Sequence, residues 1–163
     1  MNADQTAVLT RGAGAERLGD APNQTWLIAD ADQTGGIMNV VRTTLGPGVD
    51  GPPPHFHQES PEMFYLLDGA LRILAGDQVL TVRKGDYLLV PPLMHHAWGT
   101  PMDTGADVLI VKAPGNNRFE YFRLGDRIRR VRRRRPRCSR PRRLRQPLCR
   151  QSGLAAGARR TRR

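Results

Sequence analysis

The sequence predicts an all-β domain, small enough to be one sandwich or barrel, followed by a segment of a different kind. Three observations carry that reading. Between residues 24 and 112, β-branched and aromatic runs recur at roughly 8–12-residue spacing, separated by Gly, Pro and Asp turns. No stretch in that range carries the i, i+3, i+4 apolar stripe of an amphipathic helix. The charge of the 163-residue chain, +11 overall, is also divided by region. From Arg123 onward there are 18 arginines, no lysine and one acid, Asp126, whereas residues 1–122 hold 8 bases and 14 acids.

Taken in order, residues 1–23 are polar and rich in Gly and Ala, and read as an N-terminal extension in which only Thr6 to Leu9 suggests a short edge strand. Trp26 to Ala29 is a stronger strand, and Asp30 to Gly36 is a turn-rich loop. Ile37 to Leu45 is the next strand, ended by Gly46-Pro47-Gly48. After the extended stretch Pro52 to Glu62, the run Met63 to Leu67 reads as a strand closed by an Asp68-Gly69 turn. Ala70 to Ala75 and Gln78 to Val82 form a hairpin, because Gly76-Asp77 suits a two-residue turn whose twist matches the strands. Tyr87 to Val90 is stopped by Pro91-Pro92, and His95 to Thr100 and Val108 to Lys112 are the last strands. Asn116 to Phe122 is expected to dock on this body through Phe119, Tyr121 and Phe122. Phe56, Phe64, Tyr65, Trp26 and Trp98 are assigned to sheet packing, the usual fate of aromatics in a small β-domain.

The chemistry concentrates in Pro52-Pro53-Pro54-His55-Phe56-His57-Gln58-Glu59-Ser60-Pro61-Glu62. In an extended segment side chains alternate, so His55 and His57 share a face. Glu62 opens the following strand and can turn a carboxylate toward them. Glu59 is its rival but lies only two residues past His57, too close to cross to the next strand. A third imidazole comes from His95-His96, which point to opposite faces if extended, so only one of them can join. Two imidazoles, a carboxylate and a distant third imidazole make a plausible set of ligands for a divalent transition metal.

Residues 48–100 resemble the cupins, small double-sheet jelly-roll barrels recognised by two motifs. The first is present as Gly48, His55-Phe56-His57, Glu62 and Gly69, with one residue more than usual after Gly48. The second is present as Gly85, Pro91 and His96, with Leu93 in place of the usual glycine and Thr100 in place of the usual asparagine. Both departures concern the shape of the turn and the strand after it. The resemblance implies a double-stranded β-helix (jelly-roll) barrel over residues 24–122, in which His55, His57, Glu62 and His96 bind one divalent ion of Fe, Mn, Ni, Cu, Co or Zn. His95 then falls outside the ligand set, and Glu62 doubles as a catalytic base. The leading function it implies is that of a dioxygenase or other oxygenase on a small aromatic or polyketide-like substrate, as in quercetinase-like or polyketide-tailoring cupins. The alternatives are a metal-dependent isomerase, epimerase or cyclase that uses no oxygen, and a small-molecule-binding or sensor cupin without catalysis. By the same analogy the protein is expected to be a homodimer.

Residues 123–163 pack dense like charge with almost no apolar periodicity, and are expected to be a disordered basic tail. The tail could be a polyanion-binding arm or a solvated extension. Arginine without lysine, mixed with Pro, Gly, Ala and Cys, favours a third reading, a non-native segment translated out of frame. Whatever its origin, such a tail binds polyanions non-specifically. Both cysteines, Cys138 and Cys149, fall in it, so the body has no disulfide framework. Residues 1–23 lack the apolar core of a leader peptide, and no apolar run approaches the ~20 residues that span a bilayer. The expectation is a cytoplasmic protein with no membrane partner.

Overall fold

The structure, a computed structural model, describes residues 7–134. Eight strands and one helix follow in the order β1 (Glu16–Asp20), β2 (Asn23–Ala29), β3 (Asn39–Leu45), β4 (Glu62–Ala75), β5 (Gln78–Arg83), β6 (Tyr87–Val90), β7 (His96–Gly99), β8 (Ala106–Lys112) and α1 (Phe119–Arg134). All strand pairings are antiparallel. The all-β jelly-roll expectation for residues 24–112 holds, and no helix interrupts that range.

One strand serves two sheets. The first part of β4 lies between β8 and β6, extending the ladder β1-β2-β3-β8. Its second part lies between β5 and β7. The change of partners falls at a register shift between Leu66 and Asp68, followed by Gly69 at φ 71°. A Cβ on Gly69 would run into the Gly105 carbonyl oxygen, so this crossing needs a glycine. The Asp68-Gly69 turn expected from sequence is therefore a bulge inside one 14-residue strand, and the two predicted strands Met63–Leu67 and Ala70–Ala75 are one. Alternation along β4 and β8 sends Phe64, Leu66, Leu71, Ile73 and Val108 fully into the core, with Leu27, Val41, Val82, Val90 and Ile110 around them.

Two expectations at the ends need correction. The N-terminal edge strand is β1 rather than Thr6 to Leu9: Ala7 to Thr10 form no strand, and Thr6 lies outside the described residues. Glu16–Asp20 has weak strand propensity and is held by its pairing with β2 and by the one side chain it buries, Leu18. At the other end, the basic segment expected to be unstructured from Arg123 is helical as far as Arg134, and the rest of the tail lies outside the described residues. Arginine is a good helix former, and this helix is anchored at its start. The buried Asp30 carboxylate accepts hydrogen bonds from the backbone N–H of Arg118 (2.9 Å) and Phe119 (2.9 Å), a cap supplied from 88 residues away. Phe119 and Phe122 pack on the barrel core, whereas Tyr121, expected to dock with them, is exposed. Arg123 pairs with Glu16 at 2.6 Å, and the buried Asp126 accepts the Gly19 N–H and pairs with Arg130 at 2.6 Å. Among the described residues, no helix is long and apolar enough to cross a membrane.

Candidate metal centre

The proline run holds the backbone extended, and the segment after it is zipped to the start of β7. The His55 N–H donates to the His96 carbonyl (3.0 Å), the His96 N–H donates to the His55 carbonyl (2.8 Å), and the Leu93 N–H donates to the His57 carbonyl (2.8 Å). Two stretches forty residues apart thus become cross-strand neighbours, and their imidazoles meet with ring centroids 4.3 to 5.3 Å apart. Glu62, first residue of β4, projects between them and is 5% exposed, beside His96 at 1%. Each of His55, His57, Glu62 and His96 offers one ligand-type atom, and these four atoms lie within 4.8 Å of one another. Every residue singled out for the cluster is in it. The two set aside are outside: Glu59 is exposed, and His95 is exposed with its ring against Phe56 at 4.9 Å.

The hydrogen-bond pattern tests whether a cation fits. The Nδ1 atoms of His55 and His96 lie 2.9 Å from the carbonyls of Pro53 and Met94. A carbonyl only accepts, so Nδ1 carries a proton in both rings and Nε2 is left to ligate. The His96 Nε2 sits 2.9 Å from Glu62 Oε2. Two bare acceptors do not approach that closely, so a proton or a cation must lie between them. His57 Nε2 is 3.6 Å from the same oxygen, too far for a hydrogen bond, and is a buried atom with no hydrogen-bond partner among the described residues. Metal–ligand bonds of about 2.0–2.2 Å hold neighbouring ligand atoms roughly 3–3.5 Å apart; here Glu62 Oε2 lies 2.9 and 3.6 Å from two of the imidazole nitrogens, and all four atoms fall within 4.8 Å of one another. The donor set of three imidazoles and one carboxylate fits a divalent transition ion.

Electrostatics favour an ionised Glu62 and a neutral His55. Burial pushes the Glu62 carboxyl upward, but the imidazoles of His57 and His96 outweigh it and hold the pKa at about 2. Burial lowers the His55 pKa, and the neighbouring imidazoles add to that, favouring the neutral ring that ligation requires. His96 is also disfavoured as a cation by burial, yet the bond to Glu62 and the Met94 carbonyl carry its pKa upward.

Sequence reasoning missed the residues beside the cluster. Glu62 pairs in register with Lys112 of β8, and Lys112 pairs in register with Asn39 of β3. Both are buried, and the Asn39 Oδ1 has no hydrogen-bond partner. The Arg118 Nη1 lies 3.7 Å from Glu62 Oε1. The Lys112 ammonium donates to Asn116 Oδ1 at 3.3 Å and meets no carboxylate within 4.0 Å among the described residues. Burial and the Arg118 charge pull its pKa down to about 8. With His55, Glu62 and Trp98 these side chains line a cavity of about 940 Å³ between the sheet and α1. A signal for Lys112 was present: period two from Val108 and Ile110 puts it on the inward face. Of the aromatics assigned to packing, Phe64 is in the core and Trp98 packs against it, whereas Phe56 and Tyr65 are largely exposed. Trp26 lies half-buried beneath the guanidinium groups of Arg17 and Arg42.

The two departures in the second motif have structural answers. The Thr100 hydroxyl donates to the Gly46 carbonyl (2.7 Å) and accepts the Val49 N–H (2.9 Å), tying the end of β7 to the loop before His55. Leu93 keeps the left-handed backbone of the missing glycine, at φ 65°.

The fold and the cluster are similar to those of the cupins, and comparison with known proteins agrees. Residues 41–112 match the Cupin_2 family, described as a cupin domain. Residues 41–112 thus form a cupin domain, and the chain has the cupin fold. An oxidoreductase from Arthrobotrys oligospora is 32% identical over 72 residues, a stretch covering 43% of this chain and only 28% of that protein. An RmlC-like cupin from Shewanella frigidimarina superposes with a TM-score of 0.58 at 17% identity, over 71% of this chain and 96% of that one. A predicted oxalate decarboxylase from Thermotoga maritima does so with 0.57 at 17% identity, over 65% and 98%.

Proposed function

We propose that this protein is a metal-dependent oxidoreductase, a dioxygenase or related oxygenase acting on a small aromatic or polyketide-like substrate. The observation that carries the reading is the convergence of four ligand-type atoms, one of them a buried nitrogen without a hydrogen-bond partner among the described residues, at the wall of a cavity large enough for such a substrate. His55, His57, Glu62 and His96 would hold one divalent transition ion. Bound there, the ion supplies Lewis acidity and, if redox-active, electron transfer to oxygen. The chain's own residues do the rest. The Pro53 and Met94 carbonyls fix the imidazole tautomers, and Glu62 Oε1, the oxygen facing Arg118, takes a proton from substrate. The similarity to an oxidoreductase supports this class over an isomerase or a sensor.

The test is elemental analysis of protein purified without added metal, followed by oxygen uptake with aromatic diols and flavonols. One equivalent of a redox-active ion, lost in His96→Ala together with oxygen uptake, is the expected result. Stoichiometric metal with substrate turnover but no oxygen consumed would replace the reading with a non-oxidative isomerase or cyclase. Ligand binding that survives in metal-free His96→Ala would replace it with a binding cupin.

A further inference from the structure

The cavity beside the cluster has an uneven charge. Its lining holds five cations, Lys112, Arg118, Arg129, Arg130 and Arg132, against four carboxylates, Asp20, Asp50, Glu62 and Asp126, before the charge of any ion is added, and Lys112 and Arg118 are the two beside Glu62. Lys112 is 5% exposed and sits in register with Glu62, so its ammonium cannot relax into bulk water. Its one neutral partner, Asn116, leaves donor capacity unused, because an ammonium carries three N–H groups. Arg118 is held in place from both sides, its backbone N–H on Asp30 and its guanidinium over the rings of Tyr121 (5.6 Å) and Phe122 (5.3 Å). Next to Lys112 on the neighbouring strand, the buried Asn39 Oδ1 is an acceptor with nothing to accept. Buried charges are paired and buried polar atoms are bonded as a rule. A cation pair and an orphan acceptor lining one cavity are completed by a ligand that brings an anionic oxygen and an adjacent donor.

We propose that Lys112, Arg118 and Asn39 form an anion subsite, and that the substrate is a small aromatic acid carrying a carboxylate next to a hydroxyl. The carboxylate lies between Lys112 and Arg118, the hydroxyl donates to Asn39 Oδ1, and the ring lies against Trp98. The inference rests on the proposed function in taking this cavity as the substrate site, and does not rest on the use of oxygen.

The probes are 2-hydroxybenzoate, benzoate and the uncharged 2-hydroxybenzamide, titrated by calorimetry into metal-loaded and chelator-treated protein. The expected order is 2-hydroxybenzoate tighter than benzoate, and both tighter than the amide by about tenfold or more, since a buried charge pair is at stake. Lys112→Met and Arg118→Gln, each with wild-type metal content, should abolish the preference for carboxylate over amide while leaving amide binding within about threefold. Asn39→Leu should remove only the advantage of 2-hydroxybenzoate over benzoate. Equal binding of acid and amide by wild type, or an unchanged preference in both cation variants, overturns the proposal. If the charge preference holds while oxygen uptake is absent, the subsite stands and the oxygenase reading falls. If oxygen is consumed but acid and amide bind alike, the subsite alone falls.

Discussion

Leu93 is the one residue other than glycine with a positive φ among the described residues, and it occupies the turn that delivers His96. A left-handed conformation brings Cβ too close to the following carbonyl oxygen, costing any L-residue with a side chain about 1–2 kcal/mol. Glycine avoids that cost but loses more backbone freedom on folding, about 0.5–1 kcal/mol relative to alanine. The side chain itself offers little to lose, because Leu93 is 66% exposed. Three variants separate these effects. Leu93→Ala keeps the strain and removes an exposed side chain, so its stability should stay within about 0.5 kcal/mol of wild type. Leu93→Gly removes the strain, and the difference of the two backbone effects leaves it about 0.5–1 kcal/mol more stable than Leu93→Ala. The sign is diagnostic, since at an ordinary β position glycine is the less stable of the two. Leu93→Asn, which tolerates this region better than leucine, should fall between them. Urea unfolding of the chelated protein, followed by tryptophan fluorescence and fitted with a common slope, measures the differences. A Gly variant less stable than the Ala variant would refute the reasoning. It would mean that the backbone freedom glycine loses on folding outweighs the relief of left-handed strain at this turn.

Other outcomes follow from single contacts. Asp30→Ala leaves the Arg118 and Phe119 N–H groups without their carboxylate and should cost about 2–4 kcal/mol. It should also free Arg118, so limited proteolysis ought to cut near α1 before the barrel opens. Lys112→Met should stabilise metal-free protein at pH 7 by roughly 2–3 kcal/mol, because a pKa of about 8 means the buried ammonium is costly. Below pH 8 both states carry that proton and the cost is complete. Between about 8 and 10.5 the folded state has released it and the unfolded state has not, so wild-type stability rises with pH and the gap to Lys112→Met closes. A gap independent of pH across that window would show that packing, not charge, sets the effect. His57→Gln should abolish the thermal stabilisation conferred by added metal while leaving the chelated protein's melting temperature nearly unchanged, since its Nε2 makes no hydrogen bond to lose.

The strands were legible because alternation and turn residues act locally, and β2, β3, β5, β6, β7 and β8 all fall within the expected runs to within a few residues. The three failures share a cause, which is that the deciding interaction was distant. Asp68-Gly69 has the chemistry of a turn, and only the Gly105 carbonyl packed against Gly69 makes it a bulge. Glu16–Asp20 pairs because β2 is beside it. The helix after Phe119 looked like solvated charge because its cap, Asp30, and its ion-pair partner, Glu16, lie about a hundred residues upstream. The cluster was legible for the opposite reason: spacing within two short motifs fixes which histidines face inward, as the exposed His95 and buried His96 illustrate. Lys112, Arg118 and Asn39 stand alone in the sequence, with no spacing to each other that a motif could capture.

Two costly features therefore lie beside the metal centre: a left-handed leucine at 93, in the turn before His96, and a buried ammonium at 112, in register with Glu62. A sequence shaped for stability alone would carry glycine and an apolar side chain at these places. A buried ammonium lining the same cavity as the metal-ligand cluster is what a binding site for a cation and an anion together requires. The cation relieves Glu62, His57 and His96, and the anion relieves Lys112 and Arg118. If both are the site's occupants, each should tighten the other's binding, because each removes a repulsion the other faces. Calorimetric titration of 2-hydroxybenzoate with and without metal measures that coupling. Affinities unchanged by the partner would mean that the two halves of the cavity are electrostatically separate and that the charge imbalance has another origin.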